Sequence, residues 1–290
     1  LAHSVGAYII VDASQMIAHA PISMQSKTLL VADIDVLIFS GHKIYAPGSP
    51  GAVIARSSLL KQTSPLELGG GMVEDVYLQH FTPSSELPDR EEAGTPNVLG
   101  AITLACALDV LLRIGMQTIR EKEQQLIDLA WTTLSAIDGV NLYGPGPDQI
   151  PRTGTIAFNI KGFDHGLTAA ALNDYHNIQV RNGCFCAHPY VREMVKRELW
   201  EIDIDPNASN IEAEVERKRG MARASLGIYT SEDDILALCD AVADLASRKE
   251  EILSVYQPQG RSGYCHREFV PDPKALFDPV TALEQSLEQL

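Results

Sequence analysis

The chain opens with short, continuous apolar runs, each stopped by polar punctuation. Ala7 to Asp12 (AYIIVD) ends in an acid, Asp35 to Phe39 (DVLIF) stops at Ser40-Gly-His-Lys43, and Gly51 to Ala55 (GAVIA) follows a Gly- and Pro-rich loop, Ala46 to Pro50. Runs of this length predict strands covered on both faces, as in a parallel sheet. Pro65 to Pro96 shows little periodicity and holds Gly69-Gly-Gly71, Pro83, Pro88 and Gly94, so it reads as a long loop. Helical spacing resumes from Asn97 to Ile114 and closes at Gly115, and a second helix is expected from Thr118 to Ile137. Beyond Asn141 strand and helix alternate. Strands are expected at Thr155 to Ile160, Ile178 to Arg181 and Met221 to Ser225, with helices at Gly166 to Tyr175 and Glu232 to Leu245. Ser231 and Asp234 form a capping-box start for the last helix. The pattern implies an α/β region over 1–117, a smaller α+β region over 118–254 and an extended tail over 255–290 that ends in a short helix from Pro279. Glu201 to Gly220, acidic and then basic (Glu216-Arg-Lys-Arg219), reads as a solvated insertion.

Composition narrows the function classes. The 290 residues are 45% hydrophobic and 21% charged, with 21 Gly and 16 Pro, which excludes collagenous and disordered classes. Thirty-eight acidic against 23 basic side chains give a formal charge of −15, a poor match for nucleic acid or an anionic membrane. No apolar run approaches the ~18 residues of a membrane span. Five cysteines, an odd number in a long chain, fit a reducing cytoplasm better than a disulfide framework. The chain starts at Leu1, and Leu1 to Ala7 reads as the end of a helix-to-strand connection, so the chain is expected to begin inside a domain.

Candidate chemistry gathers at the strand ends. Ligands of open α/β sheets bind beyond the carboxyl ends of strands, which selects Asp12 and Lys43. A lysine held at such a point could form a Schiff base; the ordinary alternative is a solvated loop lysine. Asp12 could cap the sheet or hold a protonated ring nitrogen of a cofactor. Arg181-Asn-Gly-Cys-Phe-Cys-Ala-His-Pro189 is the densest reactive cluster. Its cysteines could be small apolar residues, a thiolate favoured by Arg181, or, with His188, Cys265 and His266, metal ligands at an unusual spacing. Arg223 is a cation within a short apolar strand and needs an anion, either a substrate carboxylate or an internal acid.

Four separated motifs together resemble the class V aminotransferase-like family of pyridoxal-phosphate enzymes, and within it the cysteine desulfurase and selenocysteine lyase branch. They are Val11-Asp-Ala-Ser-Gln15; Ser40-Gly-His-Lys43 with its Gly-Pro loop; Glu92-Ala-Gly-Thr-Pro-Asn97; and the pair Val180-Arg-Asn-Gly-Cys-Phe-Cys186 and Arg223-Ala-Ser225. The likeness covers about residues 3 to 245 and implies a fold-type-I architecture, a partial large domain with a mainly parallel sheet followed by the small C-terminal domain.

The resemblance implies a role for each of these residues. Lys43 would be the Schiff-base lysine and proton carrier, Asp12 the partner of the pyridinium nitrogen, and Gln15 a donor to the phenolic oxygen. Ser40 and His42 would hold the phosphate, with Thr95 reaching a phosphate across a homodimer interface. Arg223 would bind the substrate carboxylate and Arg181 would line its pocket. Cys186, five residues after Arg181, would be the thiol that takes sulfur from L-cysteine as a persulfide, leaving L-alanine, and an acceptor protein would then receive the sulfur. Cys184 departs from the common desulfurase pattern, and Gly-Cys-Phe-Cys is also similar to the sulfurase domain of molybdenum-cofactor enzymes. A kynureninase-like lyase, an epimerase, an aminotransferase and a non-catalytic dimerisation fragment are the other readings. Family members carry a segment ahead of the position of Leu1, on the order of 100 to 200 residues at about 30 per βαβ unit. Without it the first strand has an unpaired apolar flank, and this chain alone is expected to pair with another chain or aggregate.

Overall fold

The computed structural model describes residues 1–25, 33–196, 215, 219–260, 263–269, 272, 274 and 278–287. Most of the expected insertion, Glu201 to Gly220, lies outside the described residues. The chain divides into two compact units, Leu1–Glu123 and Gln124–Leu290.

The first unit is built on a three-stranded sheet in the order β1 (Ile10–Asp12), β2 (Val36–Phe39), β3 (Ala52–Ala55). β1 runs parallel to β2, with Asp12 opposite Ile38; β3 turns back antiparallel, with Ala52 opposite Phe39. The α/β class is therefore as expected, in a mixed sheet where one of the two pairings is parallel. Coverage of these strands differs from the sequence reading. Val36, Leu37 and Phe39 of the central strand are buried, but Ile10 and Val53 of the flanking strands are 63% and 64% exposed. Asp35 fastens the sheet: its carboxylate accepts from the Ile9 N–H at 2.8 Å, lies 2.7 Å from His3 Nε2 and pairs with Arg56 Nε at 3.1 Å. The Ile9 N–H first, then the His3 hydrogen bond, hold its carboxyl below the usual range.

After a short helix, α1 (Ser57–Leu60), the stretch read as a long loop contains a hairpin of β4 (Val73–Val76) and β5 (Phe81–Pro83). Helix α2 (Val98–Ile114) begins where expected: Asn97 caps it by accepting from the Gly100 N–H at 2.9 Å, and Gly115, at φ +93°, ends it. Helix α3 (Met116–Ser135) crosses the boundary between the units. No single helix among the described residues is long and apolar enough to cross a membrane.

The second unit carries an antiparallel sheet of β6 (Val140–Leu142), β7 (Thr155–Ile160), β8 (Arg181–Gly183) and β9 (Met221–Ser225), in the order β6-β7-β9-β8. Its core joins Ile127 and Leu134 of α3, Phe158 of β7, Leu167 and Leu172 of α4 (His165–His176), and Val242 and Leu245 of α6 (Glu232–Ser247). Between them in the chain lies the short helix α5 (His188–Met194). The capping box expected at Ser231 and Asp234 is formed, with both reciprocal hydrogen bonds in place. β8 starts three residues later than expected, since its polar residues are fixed by pairing with β9 rather than by apolar pattern.

The expected extended tail instead folds. Helix α7 (Lys249–Val255) leads into a hairpin of β10 (Tyr256–Gln259) and β11 (Gly263–His266), and α8 (Pro279–Leu287) follows. Tyr256 is buried in the core, and its hydroxyl donates to Asp174 Oδ2 at 2.7 Å. Tyr264 donates to Asp164, the N-cap of α4. The hairpin therefore holds α4 near both ends.

Candidate functional site

In the first unit the chemistry sits where β1 and β2 end side by side. Asp12 is the last residue of β1, and its Oδ1 accepts from the Ser14 N–H at 2.9 Å. The Ser14 hydroxyl and N–H, and more weakly the Lys43 ammonium, hold the Asp12 carboxyl below its ordinary value, so it is anionic at neutral pH. Lys43 closes a tight 3-10 turn, Gly41–Lys43, directly after β2. That turn cannot accept a side chain at Gly41, where a Cβ would fall 2.0 Å from Ser49 Oγ and 2.3 Å from the Pro50 carbonyl. Ile44 and Ala46, both fully buried, anchor the chain on its far side, while Tyr45 takes a left-handed φ of +64° to make the bend.

Ser40 precedes the turn, and its hydroxyl is buried without a hydrogen-bond partner among the described residues. A buried orphan hydroxyl is costly unless something fills the position beside it. Gln15 is half-buried in the turn after β1, whereas His42 and Thr95 are exposed. Asp12 and Lys43 are thus brought within electrostatic reach of one another; Thr95 connects to the Lys43 loop indirectly, through Asn97, whose Nδ2 donates to the Gly48 carbonyl at 2.8 Å. The sequence marks Asn97 as the start of a helix and part of a motif; the same side chain both caps α2 and latches that loop.

In the second unit Arg181 of β8 and Arg223 of β9 are register partners. Arg223 is half-buried; burial first, then the neighbouring Arg181, lowers its guanidinium below the ordinary value, while Cys186 acts the other way. Its Nε has no hydrogen-bond partner among the described residues. Cys186 is exposed, and Cys184 is half-buried with its thiol directed to the Arg219 carbonyl at 3.6 Å. Between them Phe185, which the sequence reading passed over, lies under Arg223 with 4.9 Å from ring centroid to Cζ. The signal for it was an aromatic residue inside the Cys-x-Cys loop. Among the described residues no group of three or more His, Cys, Asp or Glu side chains is placed to hold a metal ion, Cys184, Cys186 and His188 included. None of the five cysteines forms a disulfide.

The fold and these residues define an α/β protein that offers a lysine and a carboxylate at neighbouring strand ends and, on a second sheet, paired arginines beside an exposed thiol. The family model for class-V aminotransferases matches residues 1–238, and the chain belongs to that family. It is 35% identical over 235 residues to a cysteine desulfurase of Escherichia coli O127:H6, a match covering 81% of this chain and 50% of that protein. It is 34% identical over 235 residues to a probable cysteine desulfurase of Synechocystis, with 81% and 49% covered. Among solved structures, the apo cysteine desulfurase of Thermococcus onnurineus NA1 superposes with a TM-score of 0.69 at 29% identity, covering 84% of this chain and 54% of that one. The chain spans about half the length of the curated relatives it matches.

Proposed function

We propose that the chain is part of a pyridoxal-phosphate-dependent cysteine desulfurase that converts L-cysteine to L-alanine and collects the sulfur on Cys186. The observation that carries the reading is that Lys43, in the turn after β2, lies within electrostatic reach of Asp12 at the end of β1, with the orphan Ser40 hydroxyl at the start of that turn. The donor set fits the cofactor. An anionic carboxylate suits a protonated pyridine nitrogen, a strand-end amine suits an aldehyde, and the Ser40 hydroxyl with the His42 imidazole suits a phosphate. Gln15, in the turn after Asp12, would donate to the phenolic oxygen. When bound, pyridoxal phosphate supplies an electron sink for the substrate's α-carbon.

The remaining work falls to this chain's own side chains. Arg223 binds the substrate carboxylate through its edge N–H groups, and Arg181 adds positive charge to the same place. Lys43 Nζ carries the proton between positions on the substrate. The Cys186 thiolate attacks the substrate sulfur; a bond forms between the two sulfurs, the carbon–sulfur bond breaks, and alanine leaves once its β-carbon takes a proton. Exposure of Cys186 supports delivery of the sulfur to an acceptor protein. Pairing with a second copy of the chain is supported by the exposed Val98, Leu99 and Ile102 beside the exposed Thr95.

The test is to incubate the chain with pyridoxal phosphate, dialyse it, and record the visible absorption of wild type and Lys43→Ala before adding L-cysteine. The reading expects colour that requires Lys43 and alanine production that Cys186→Ala abolishes while the colour stays. Retained alanine production in Cys186→Ala would overturn it in favour of a lyase or epimerase reading. Light scattering on the same sample tests the dimer, and a monodisperse monomer would count against it.

A further inference from the structure

Arg223 is an arginine in an uncomfortable place. It sits on a short strand between the buried Ala222 and Ala224, directly opposite Arg181, and like charges opposed across a ladder repel. No carboxylate among the described residues pairs with it. Phe185 is what faces the guanidinium, at 4.9 Å from Cζ to the ring centroid. A ring in that position attracts the cation by its quadrupole and covers a flat face, leaving the edge N–H donors for a planar, two-pronged anion.

The backbone that delivers the ring is itself unusual. Phe185 and Cys186 have φ of +52° and +63°, consecutive left-handed residues that neither side chain favours. They are held there by the turn in which the Ala187 N–H reaches the Cys184 carbonyl at 2.7 Å, and by the packing of Cys184 and Phe185 against Tyr143, Val191, Val195 and Met221. One kink therefore lays the aromatic ring on the arginine and turns the next side chain, Cys186, to solvent.

We propose that Phe185 is a positioning residue for the carboxylate site: its ring seats the Arg223 guanidinium and so sets how tightly an amino-acid carboxylate is held beside Cys186. The proposal rests on the reading of Arg223 as the carboxylate ligand. It separates Phe185 from a plain packing residue, because a seat for a cation requires an aromatic face whereas packing requires only volume.

The experiment compares wild type, Phe185→Leu and Phe185→Tyr in the full chain loaded with pyridoxal phosphate, using L-alanine as a sulfur-free carboxylate probe in calorimetric titrations. Phe185→Leu is expected to weaken L-alanine binding about tenfold and to raise KM for L-cysteine by a similar factor with kcat within about twofold, the mark of lost uniform binding. Phe185→Tyr is expected to restore both. A second readout does not depend on turnover: the Arg223 Nε–H resonance carries a ring-current shift in wild type and in Phe185→Tyr that Phe185→Leu removes. Unchanged L-alanine affinity in Phe185→Leu, or a tyrosine variant no better than leucine, overturns the proposal. So does a wild-type chain that binds no L-alanine or shows no ring-current shift, which keeps the test decisive even where the leucine variant fails to fold. Binding of L-alanine that responds to Phe185 without any desulfuration of L-cysteine would defeat the function reading alone and leave Phe185 in its role.

Discussion

His19 Nδ1 lies 2.7 Å from Glu123 Oε1, with the side chains only 6% and 4% exposed although 104 residues separate them in the chain. His19 ends the turns that follow Asp12: the Met16 and Ile17 N–H groups return to the Ala13 carbonyl, and those of His19 and Ala20 to the Met16 carbonyl. The other carboxylate oxygen of Glu123 is buried without a partner among the described residues, so the pair is an expensive one to disturb. Glu123→Ala strands the imidazole and is expected to cost about 3 kcal/mol, against less than about 1 kcal/mol for Glu123→Gln, which still accepts a hydrogen bond. Urea denaturation of the chain measures both; equal midpoints for the two variants would show that the hydrogen bond contributes nothing.

Gly41→Ala tests the turn that presents Lys43. The added methyl must displace Ser49 or the Pro50 carbonyl, and overpacking of this kind costs about 1–3 kcal/mol. Because Ser49 also donates to the Ala46 carbonyl at 2.6 Å, the displacement reaches the whole loop after Lys43. Loss of Lys43-dependent colour with pyridoxal phosphate, in a variant whose far-ultraviolet circular dichroism is unchanged, is the expected result.

Acid should loosen the first sheet through Asp35. Its carboxyl is depressed in the folded chain, so its stabilising contribution is complete above the ordinary aspartate value of about 4 and is lost as the pH falls through the depressed one. Thermal melting followed from about pH 6 to about pH 3 is expected to show a steep acid limb in wild type. Asp35→Asn is expected to melt lower at neutral pH and to flatten that limb. An equally steep limb in the variant would move the acid sensitivity elsewhere.

The parts of the fold legible in the sequence are those written locally. Asn97 and Gly115 mark the ends of α2, and Ser231 with Asp234 marks the start of α6, because caps are matters of three or four neighbouring residues. The β4–β5 hairpin escaped because Val73-Glu-Asp-Val76 is almost wholly exposed and carries no apolar alternation. β8 was expected three residues too early for a related reason: Arg181-Asn-Gly183 is a strand through its ladder to β9, with Asn182 opposite Ala222. The same division runs through the site. Asp12 and Lys43 stand at punctuation marks that a reader can see, while the Phe185 seat under Arg223 and the His19–Glu123 pair exist only once distant segments meet.

The family match stops at residue 238, in the middle of α6, yet Leu245, Ile252 and Tyr256 beyond it are fully or almost fully buried in the second unit's core. The end of the family match and the end of the packed core thus fall at different places, one of them inside a helix. A gene trimmed at residue 238 would lose half of α6 and open a hollow against α4 where Tyr256 now sits, and the stump would be sticky rather than minimal. The segment after residue 238 is a wall of the house, and it cannot be removed as an annexe.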